Sequence, residues 1–545
     1  MSDALRNINL RVTPQTEKAR PDQVMNNAGG AVFAVTPLTR LRRFLTLGTD
    51  GGTYYVGQNR LTRDNAQVVI EFAQTDPATL VREIVDISSA GRAPKNDQAL
   101  FALAACAGLA DEDGKRAALA ALPQVARTGT HLFQFAGYVE QFRGWGRGLR
   151  RAIGNWYVTR PVPELAYQAA KYQNREGWTH RDLLRLAHPH TDNAARKELF
   201  SWMCGRDADL AELPLIEAFV KAHEPGTNLP ELILNTQGLS WEMLPSERLN
   251  DADVWAALLA KGVPQTALMR QLPRLTRLGM LSPFGEHLDG VVGQLTDPNL
   301  LRRARVHPIN VLVAQRTYAG GRSLRGDSTW SPVPQVTDAL DAAFYAAFGN
   351  VESTGKRHML ALDVSGSMTA SISGMPISCR EASAALALVT AAKEPQHQIV
   401  GFTSNRRPAR RGYATTYTSL YGQTALTPLR ISARQRLDDA IRVVSGLPFG
   451  GTDCALPITE ALRTKTVVDV FTVYTDSETW AGSIHPFQAL RQYREQVNPA
   501  AKLIVVGMTS TRFSIADPSD AGMLDIAGFD SATPNLIADF ARGDL

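Results

Sequence analysis

Runs of apolar residues long enough to span a membrane are missing from this chain. The longest wholly small-apolar stretch, Ala382 to Ala392, is interrupted by Ser383 and Thr390 and is far shorter than the roughly 20 residues a spanning helix needs. The N-terminus carries Arg, Asn and Asp with no apolar core of a signal peptide, so a cytoplasmic location is expected. Cysteine is scarce. Cys106, Cys204, Cys379 and Cys454 stand far apart with no CxxC spacing, which excludes a zinc ribbon, a dithiol redox motif and a framework of bridges, and leaves reduced thiols as the expectation. No glycine-rich phosphate loop ending in GK[ST] follows any apolar run, and "VSGSM" lacks the GxSxG spacing of a nucleophile elbow. An excess of one charge is missing too, since 58 Lys+Arg face 53 Asp+Glu for a net +5.

What is present is length and two local grammars. A chain of 545 residues is too long for one core and predicts two or more domains. From about Asp97 to Gln315 nearly every segment reads as a helix split from the next by Pro, Gly or Asn turns, the pattern of an α-solenoid in which each helix pair buries its apolar face against its neighbours. After Phe348, "RHMLALD", "HQIVGFT", "VVDVFTVYT" and "AKLIVVGMT" are short β-rich runs alternating with helical segments. This predicts a doubly wound sheet covered on both faces. The division therefore falls between residues 1–350 and 351–545, with the Gly- and Pro-rich stretch 317–336 as the expected connection.

Open parallel sheets gather ligands outside the carboxyl ends of their strands. Three segments offer oxygen ligands there: Asp363, Ser365 and Ser367 in "LALDVSGSM", Thr452 in "FGGTDCALPI" and Asp476 in "VYTDSETW". Two carboxylates and three hydroxyls, all hard oxygens, suit Mg²⁺. The set resembles the metal-ion-dependent adhesion site of von Willebrand A domains; the blander alternative is a Ser-rich turn beside unrelated Asp residues. Two carboxylates are too few for a two-metal nuclease, so the chemistry read here is binding without catalysis.

Basic side chains cluster in the helical half. Residues 143 to 185 hold nine Lys or Arg against three acids. Thr179 and Asp182 predict a capped helix carrying Arg181, Arg185 and His188 along one face, while Lys171 and Arg175 share a ridge on a helix beginning near Pro163 and ending at Gly177. Arg270, Arg274 and Arg277 form another ridge and Arg147, Arg150 and Arg151 a third. Such faces are often merely solvated. Three of them with few acids beside them point to phosphate binding.

The blocks "NNAGGAVFAV", "RFLTLGTDGGTYY", "KYQNREGWTHRDLLRLAHP", "HPINVLVAQRTYAGGRSLRGDSTWSPVPQVTDALDAAFYAAF", "LALDVSGSM" and "FGGTDCALPI" together make the chain resemble the Ro autoantigen ribonucleoproteins over nearly its whole length. The resemblance implies an α plus α/β architecture: a ring of HEAT-like helical pairs, the TROVE domain, closed by a Rossmann-like von Willebrand A domain. It also implies a small noncoding Y RNA on the outer basic face and single-stranded 3′ ends of misfolded or precursor RNA in the hole. A 3′-to-5′ exoribonuclease is the implied partner, and no membrane is involved. Lys171, Arg175 and His188 fall in the block implied to hold Y RNA. The expected RNA-contacting set is then Arg147, Arg150, Arg151, Lys171, Arg175, His180, Arg181, Arg185, His188, Arg270, Arg274 and Arg277. Two rival readings are a protein-interaction scaffold using a metal in the A domain and a metal-dependent nuclease.

Overall fold

A computed structural model of the chain describes residues 12–49, 58–175, 177–323, 326–349, 352–372, 375–403, 426–447, 450–530 and 532–544. Residues 50–55 of the block "RFLTLGTDGGTYY" lie outside them. After strands β1 (Gln23–Met25) and β2 (Ala31–Ala34), helices follow one another from Pro37–Leu47 to Pro334–Ala346, interrupted by a two-stranded hairpin of β3 (Asn174–Arg175) and β4 (Trp178–Thr179). Neighbouring helices pack in sequence order, as a solenoid requires. Asp97–Leu109 is apolar nearly all round and buries Leu100, Leu103 and Cys106 because helices lie on several sides of it.

The stretch expected as the inter-domain connection is part of the helical half. Pro308–Ala319 runs into it, Arg322 and Thr329 pair across it, and Pro334–Ala346 follows. A Gly- and Pro-rich composition marks a turn, but not which turn. The crossing to the second half comes after this last helix.

That second half is a six-stranded sheet in the order β11 (Met523–Ala527), β9 (Lys502–Gly507), β8 (Val470–Thr475), β5 (His358–Asp363), β6 (His397–Phe402), β7 (Leu426–Pro428), parallel except for β7. Side chains alternate across it. Leu360 and Leu362 join the core shared with the helices, whereas Met359 and Ala361 join a second core on the opposite face. β1 and β2 belong spatially to this half, because β2 pairs with β10 (Phe513–Ser514). None of the helices among the described residues is long and apolar enough to cross a membrane.

The helical array returns on itself. The buried Arg43 guanidinium reaches Asp525 at 2.6 Å and donates to the carbonyls of Thr511 and Phe513 at 2.9 Å. Arg92 pairs with the buried Asp530 at 3.0 Å. His307, at the far end of the array, donates from Nε2 to the Arg92 carbonyl at 2.9 Å and accepts the Ile309 amide at Nδ1 at 3.1 Å. The loop after Pro77–Ala90 thus meets the start of Pro308–Ala319, and this junction and the first helix, Pro37–Leu47, both rest on the second half.

This seam should be acid-labile. Burial pushes His307 in the seam, and His180 in the core of the helical array, down to about 4, so both are neutral when folded but titrate near 6.5 when unfolded. The unfolded chain binds more protons in that window, so stability is complete above pH 6.5 and falls as pH drops towards 4, by up to about 3 kcal/mol for each imidazole. Denaturant midpoints measured from pH 7.5 to 4.5 should decline, and less steeply for His307→Asn, which keeps an N-cap acceptor. Equal slopes would contradict the assignment.

Candidate nucleic-acid interface and candidate metal site

The basic residues divide into two classes. Arg147, Arg150 and Arg151 are exposed on Arg147–Val158, a helix starting at Gly146; Arg181 and Arg185 are exposed on the adjoining His180–Ala187. The expected capping box is there: Thr179 Oγ1 accepts the Asp182 amide at 3.2 Å and Asp182 Oδ2 accepts the Thr179 amide at 3.0 Å. His188 is exposed and ends that helix in the left-handed region at φ 46°. Arg151 also lines a cleft of about 370 Å³ with Lys115, Arg116 and Arg143. Lys115 and Arg116 were missed, because they lie on another helix and only packing brings them alongside; Arg143 belongs to the basic stretch 143–185 but not to the expected contact set.

The second class is turned inward. His180 is a correction: it is 4% exposed, its Nδ1 lies 2.8 Å from Tyr157 Oη, and its ring packs on Phe133 at 4.7 Å. Held neutral by burial, it cannot contact RNA from there. Lys171 is also mostly enclosed, its side chain 10% exposed and its Nζ 2.9 Å from Tyr167 Oη and 3.2 Å from Glu242. Burial alone would lower its pKa, but the Tyr167 hydrogen bond and the Glu242 charge outweigh it and hold the ammonium above its usual range. Arg175 is exposed but does not share a helix with Lys171, which ends Val162–Lys171; Arg175 sits in β3, turned by Gly177 at φ 79°. In Gln265–Arg277, Arg270 and Arg277 are exposed while Arg274 lies half-buried, its guanidinium 6.0 Å from the Trp255 ring and its Nη1 without a partner.

In the A domain, all five expected metal ligands are buried at the carboxyl ends of β5 and β8, where connections leave the sheet in opposite directions. Asp363 closes β5, accepting the Ser365 amide at 2.9 Å and the Thr475 hydroxyl at 2.6 Å. Ser365 Oγ and Ser367 Oγ are 3.0 Å apart, and Asp476 Oδ1 accepts the Glu478 amide at 3.1 Å. The Thr452 carbonyl accepts the amides of Trp480 and Ala481 at 3.0 and 2.9 Å, drawing its loop to the Asp476 loop. Arg380 donates to the carbonyls of Val364 and Ser365 at 2.7 and 3.0 Å and fixes the first loop.

This arrangement is under-satisfied. Thr452 Oγ1 and Asp476 Oδ2 are buried with no hydrogen-bond partner. Burial, together with the charge of Asp363, raises the Asp476 carboxyl well above its usual range, and burial raises Asp363. No cluster of three or more His, Cys, Asp and Glu exists among the described residues, so any ion here needs the hydroxyls. Two mutually repelling carboxylates beside an orphaned hydroxyl fit a hard divalent cation.

The N-terminal segment braces the same loop. Asn26 Nδ2 donates to the carbonyls of Thr479 and Ser477 at 2.8 and 3.2 Å; Asn27 Nδ2 and the Ala28 amide hold the Glu478 carboxylate at 2.7 and 3.0 Å. Gln15, fully buried, donates to Asp453 at 2.9 Å and to the Ile484 carbonyl at 2.8 Å. Gly30 passes so close that an added Cβ would lie 1.7 Å from the Thr479 carbonyl oxygen.

The TROVE domain model matches residues 24–210 and 235–356, and the model described as the Ro60 vWA domain matches 357–541. The chain belongs to the Ro60 family. It is 43% identical over 554 residues to the "RNA-binding protein RO60" of Deinococcus radiodurans, covering 100% of both, and 37% identical over 616 residues to that of Caenorhabditis elegans, covering 98% of this chain and 92% of that one. Among solved structures, the RO (RSR) protein of Deinococcus radiodurans matches at a TM-score of 0.69 and 41% identity, covering 94% of this chain and all of the other. The ring-shaped helical fold closed by an A domain is therefore that of the Ro60 family. The strap from Gln15 to Gly30 explains why "NNAGG" stands in this Ro60 chain, since Asn26, Asn27, Ala28 and Gly30 meet a loop some 450 positions away and Gly29 makes the turn between them at φ 88°.

Gly30→Ala forces a Cβ into a backbone oxygen and should destabilise by about 1 to 3 kcal/mol. Gly29→Ala meets no heavy atom and carries only the strain of its φ of 88°, so it should cost less. Paired thermal melts distinguish them, and equal losses would show that the strap does not press on the Asp476 loop.

Proposed function

We infer that this protein is a non-enzymatic RNA-binding ring. The observation that carries the reading is the set of exposed guanidiniums Arg147, Arg150, Arg151, Arg181 and Arg185, with His188, on two helices packed together. Arg presents forked donors suited to phosphate oxygens, and A-form grooves hide base identity, so such a surface takes a folded RNA by backbone and shape. The relatives' name as RNA-binding proteins supports this. A small noncoding Y RNA on the outer face, single-stranded 3′ ends of misfolded or precursor RNA in the hole, and a 3′-to-5′ exoribonuclease working beside the ring in the cytoplasm complete the reading. Lys171 and Arg274 act beneath this surface, positioning Tyr167, Glu242 and Trp255.

In the A domain, Asp363, Ser365, Ser367, Thr452 and Asp476 would hold Mg²⁺. When bound, the ion supplies an open coordination position for an outside oxygen ligand such as a carboxylate. Arg380 and the N-terminal strap keep the three loops in place. The site favours binding over bond cleavage, because only two carboxylates are available to it.

Reversing Arg181 and Arg185 to Glu should weaken binding of the RNA that copurifies from the native host by tenfold or more, roughly, while leaving the melting temperature unchanged. Filter binding at moderate salt checks this, and unchanged affinity would overturn the surface assignment. Adding Mg²⁺ should raise the melting temperature by about 3 °C or more. Asp476→Asn should raise the metal-free melting temperature by removing the carboxylate repulsion, yet abolish the Mg²⁺ increment. A variant that responds to Mg²⁺ like the wild type would contradict the ligand set.

A further inference from the structure

Two clefts adjoin where Val162–Lys171 meets the turn after Leu229–Asn235, one of about 540 Å³ and one of about 690 Å³. Tyr167 and residues 235–238 line both. Each volume falls within the roughly 300 to 1,000 Å³ of small-molecule sites. The smaller cleft has a distinctive wall. Ser240 is 9% exposed and its Oγ has no partner; the Trp241 indole Nε1 beside it is buried and also unpartnered. Buried polar atoms usually find partners, so two neighbouring orphans mark unused hydrogen-bonding capacity. The Trp241 ring leans on Trp255 at 6.4 Å and 31°, which fixes its plane.

The lining is neutral and polar, with exposed Asn235 and Gln237 at the mouth and aromatic Tyr167 and Trp241 behind. Its cations are peripheral. Lys261 is exposed at the rim, and Lys171, bonded to Tyr167, is already neutralised by Glu242. A phosphate needs converging positive charge and would find little here. An aliphatic group would leave the Ser240 and Trp241 atoms unpaired. A flat heterocycle with donors and acceptors on its edge satisfies both the aromatic walls and the orphans, while Lys261 can meet the phosphate joined to it.

We propose that this cleft captures one unstacked nucleobase of a single-stranded RNA segment, reading its edge with Ser240, Trp241 and the amides of Asn235 and Gln237. The proposal rests on the RNA-binding reading above, and it adds a base-contacting site to a surface otherwise described by phosphate contacts.

Ser240→Ala removes only an oxygen that makes no hydrogen bond in the folded chain and should not disturb folding; Trp241→Phe removes the unpartnered Nε1 together with part of a ring packed on Trp255, so its melting temperature is measured beside its affinity. Fluorescence anisotropy of the full-length chain with labelled uridylate and adenylate decamers, and with an abasic decamer of the same phosphate count, tests the idea. Each variant should bind at least one base-bearing decamer about fivefold more weakly, bind the abasic decamer as the wild type does, and keep the wild-type salt dependence. Wild-type affinity of both variants for both base-bearing decamers would overturn the proposal and leave the cleft to a protein side chain. A matching loss on the abasic decamer would overturn it as well. If the wild type bound no RNA at all, the wider RNA reading would fall with it, whereas a chain sensitive to Arg181 and Arg185 but indifferent to these two variants loses only the pocket.

Discussion

The closure of the helical array on the A domain is the constraint from which the other features follow. It is made by desolvated charges that have partners: Arg43 on Asp525 and Arg92 on Asp530, with His307 bonded to the Arg92 carbonyl. Removing one partner of a buried pair leaves an uncompensated charge, a loss of about 3 to 5 kcal/mol. These pairs therefore specify where the two ends of the array meet even though they add little net stability. With the ends fixed and the apolar faces used up between neighbouring helices, the polar faces carrying Arg147, Arg150, Arg151, Arg181 and Arg185 have only solvent to face.

Net charge understates this surface. A chain at +5 looks weakly suited to RNA until its cations are sorted by environment. Arg43, Arg160, Lys171 and Arg274 are committed internally: Arg160, for example, lies 3.8 Å over the Trp156 ring and pairs with Glu164 at 3.3 Å. The exposed Arg residues on Arg147–Val158 and His180–Ala187 remain hydrated and able to exchange counterions for phosphates. An interior cation would have to break its partners before it could do so. The exposed class is therefore the one free to meet phosphates, and the interior class shapes the surface on which that class stands.

Much of the fold was legible in the sequence because it rests on local rules. Alternation in "HMLALD" places Leu360 and Leu362 on one face of β5 and Met359 and Ala361 on the other, and the Thr179–Asp182 spacing marks a helix start that forms with its reciprocal capping bonds. The burial of Asp363, Ser365, Ser367, Thr452 and Asp476 in neighbouring loops was legible for the same reason, each standing directly after a β-rich run or before a helix. Contacts between distant segments were not. His180 is polar and follows an N-cap, which reads as a surface position; only Tyr157 and Phe133, on other helices, make it part of the core. Lys171 and Arg175 are four residues apart, a spacing that a helix would align, but a hairpin register of Arg175 with Trp178 ends the helix first. The bracing of the Asp476 loop by Asn26 and Asn27 was illegible because those segments are joined only by tertiary folding.

The most direct measurement of the central claim is the salt dependence of affinity for the copurifying RNA, taken between about 50 and 200 mM monovalent salt. Five exposed guanidiniums meeting phosphates should give a slope of log K against log salt of about −3.5 or steeper, since each neutralised phosphate contributes roughly −0.7 to −0.9. A slope between 0 and about −1 would mean that the RNA is held by something other than this guanidinium surface, and would contradict the account.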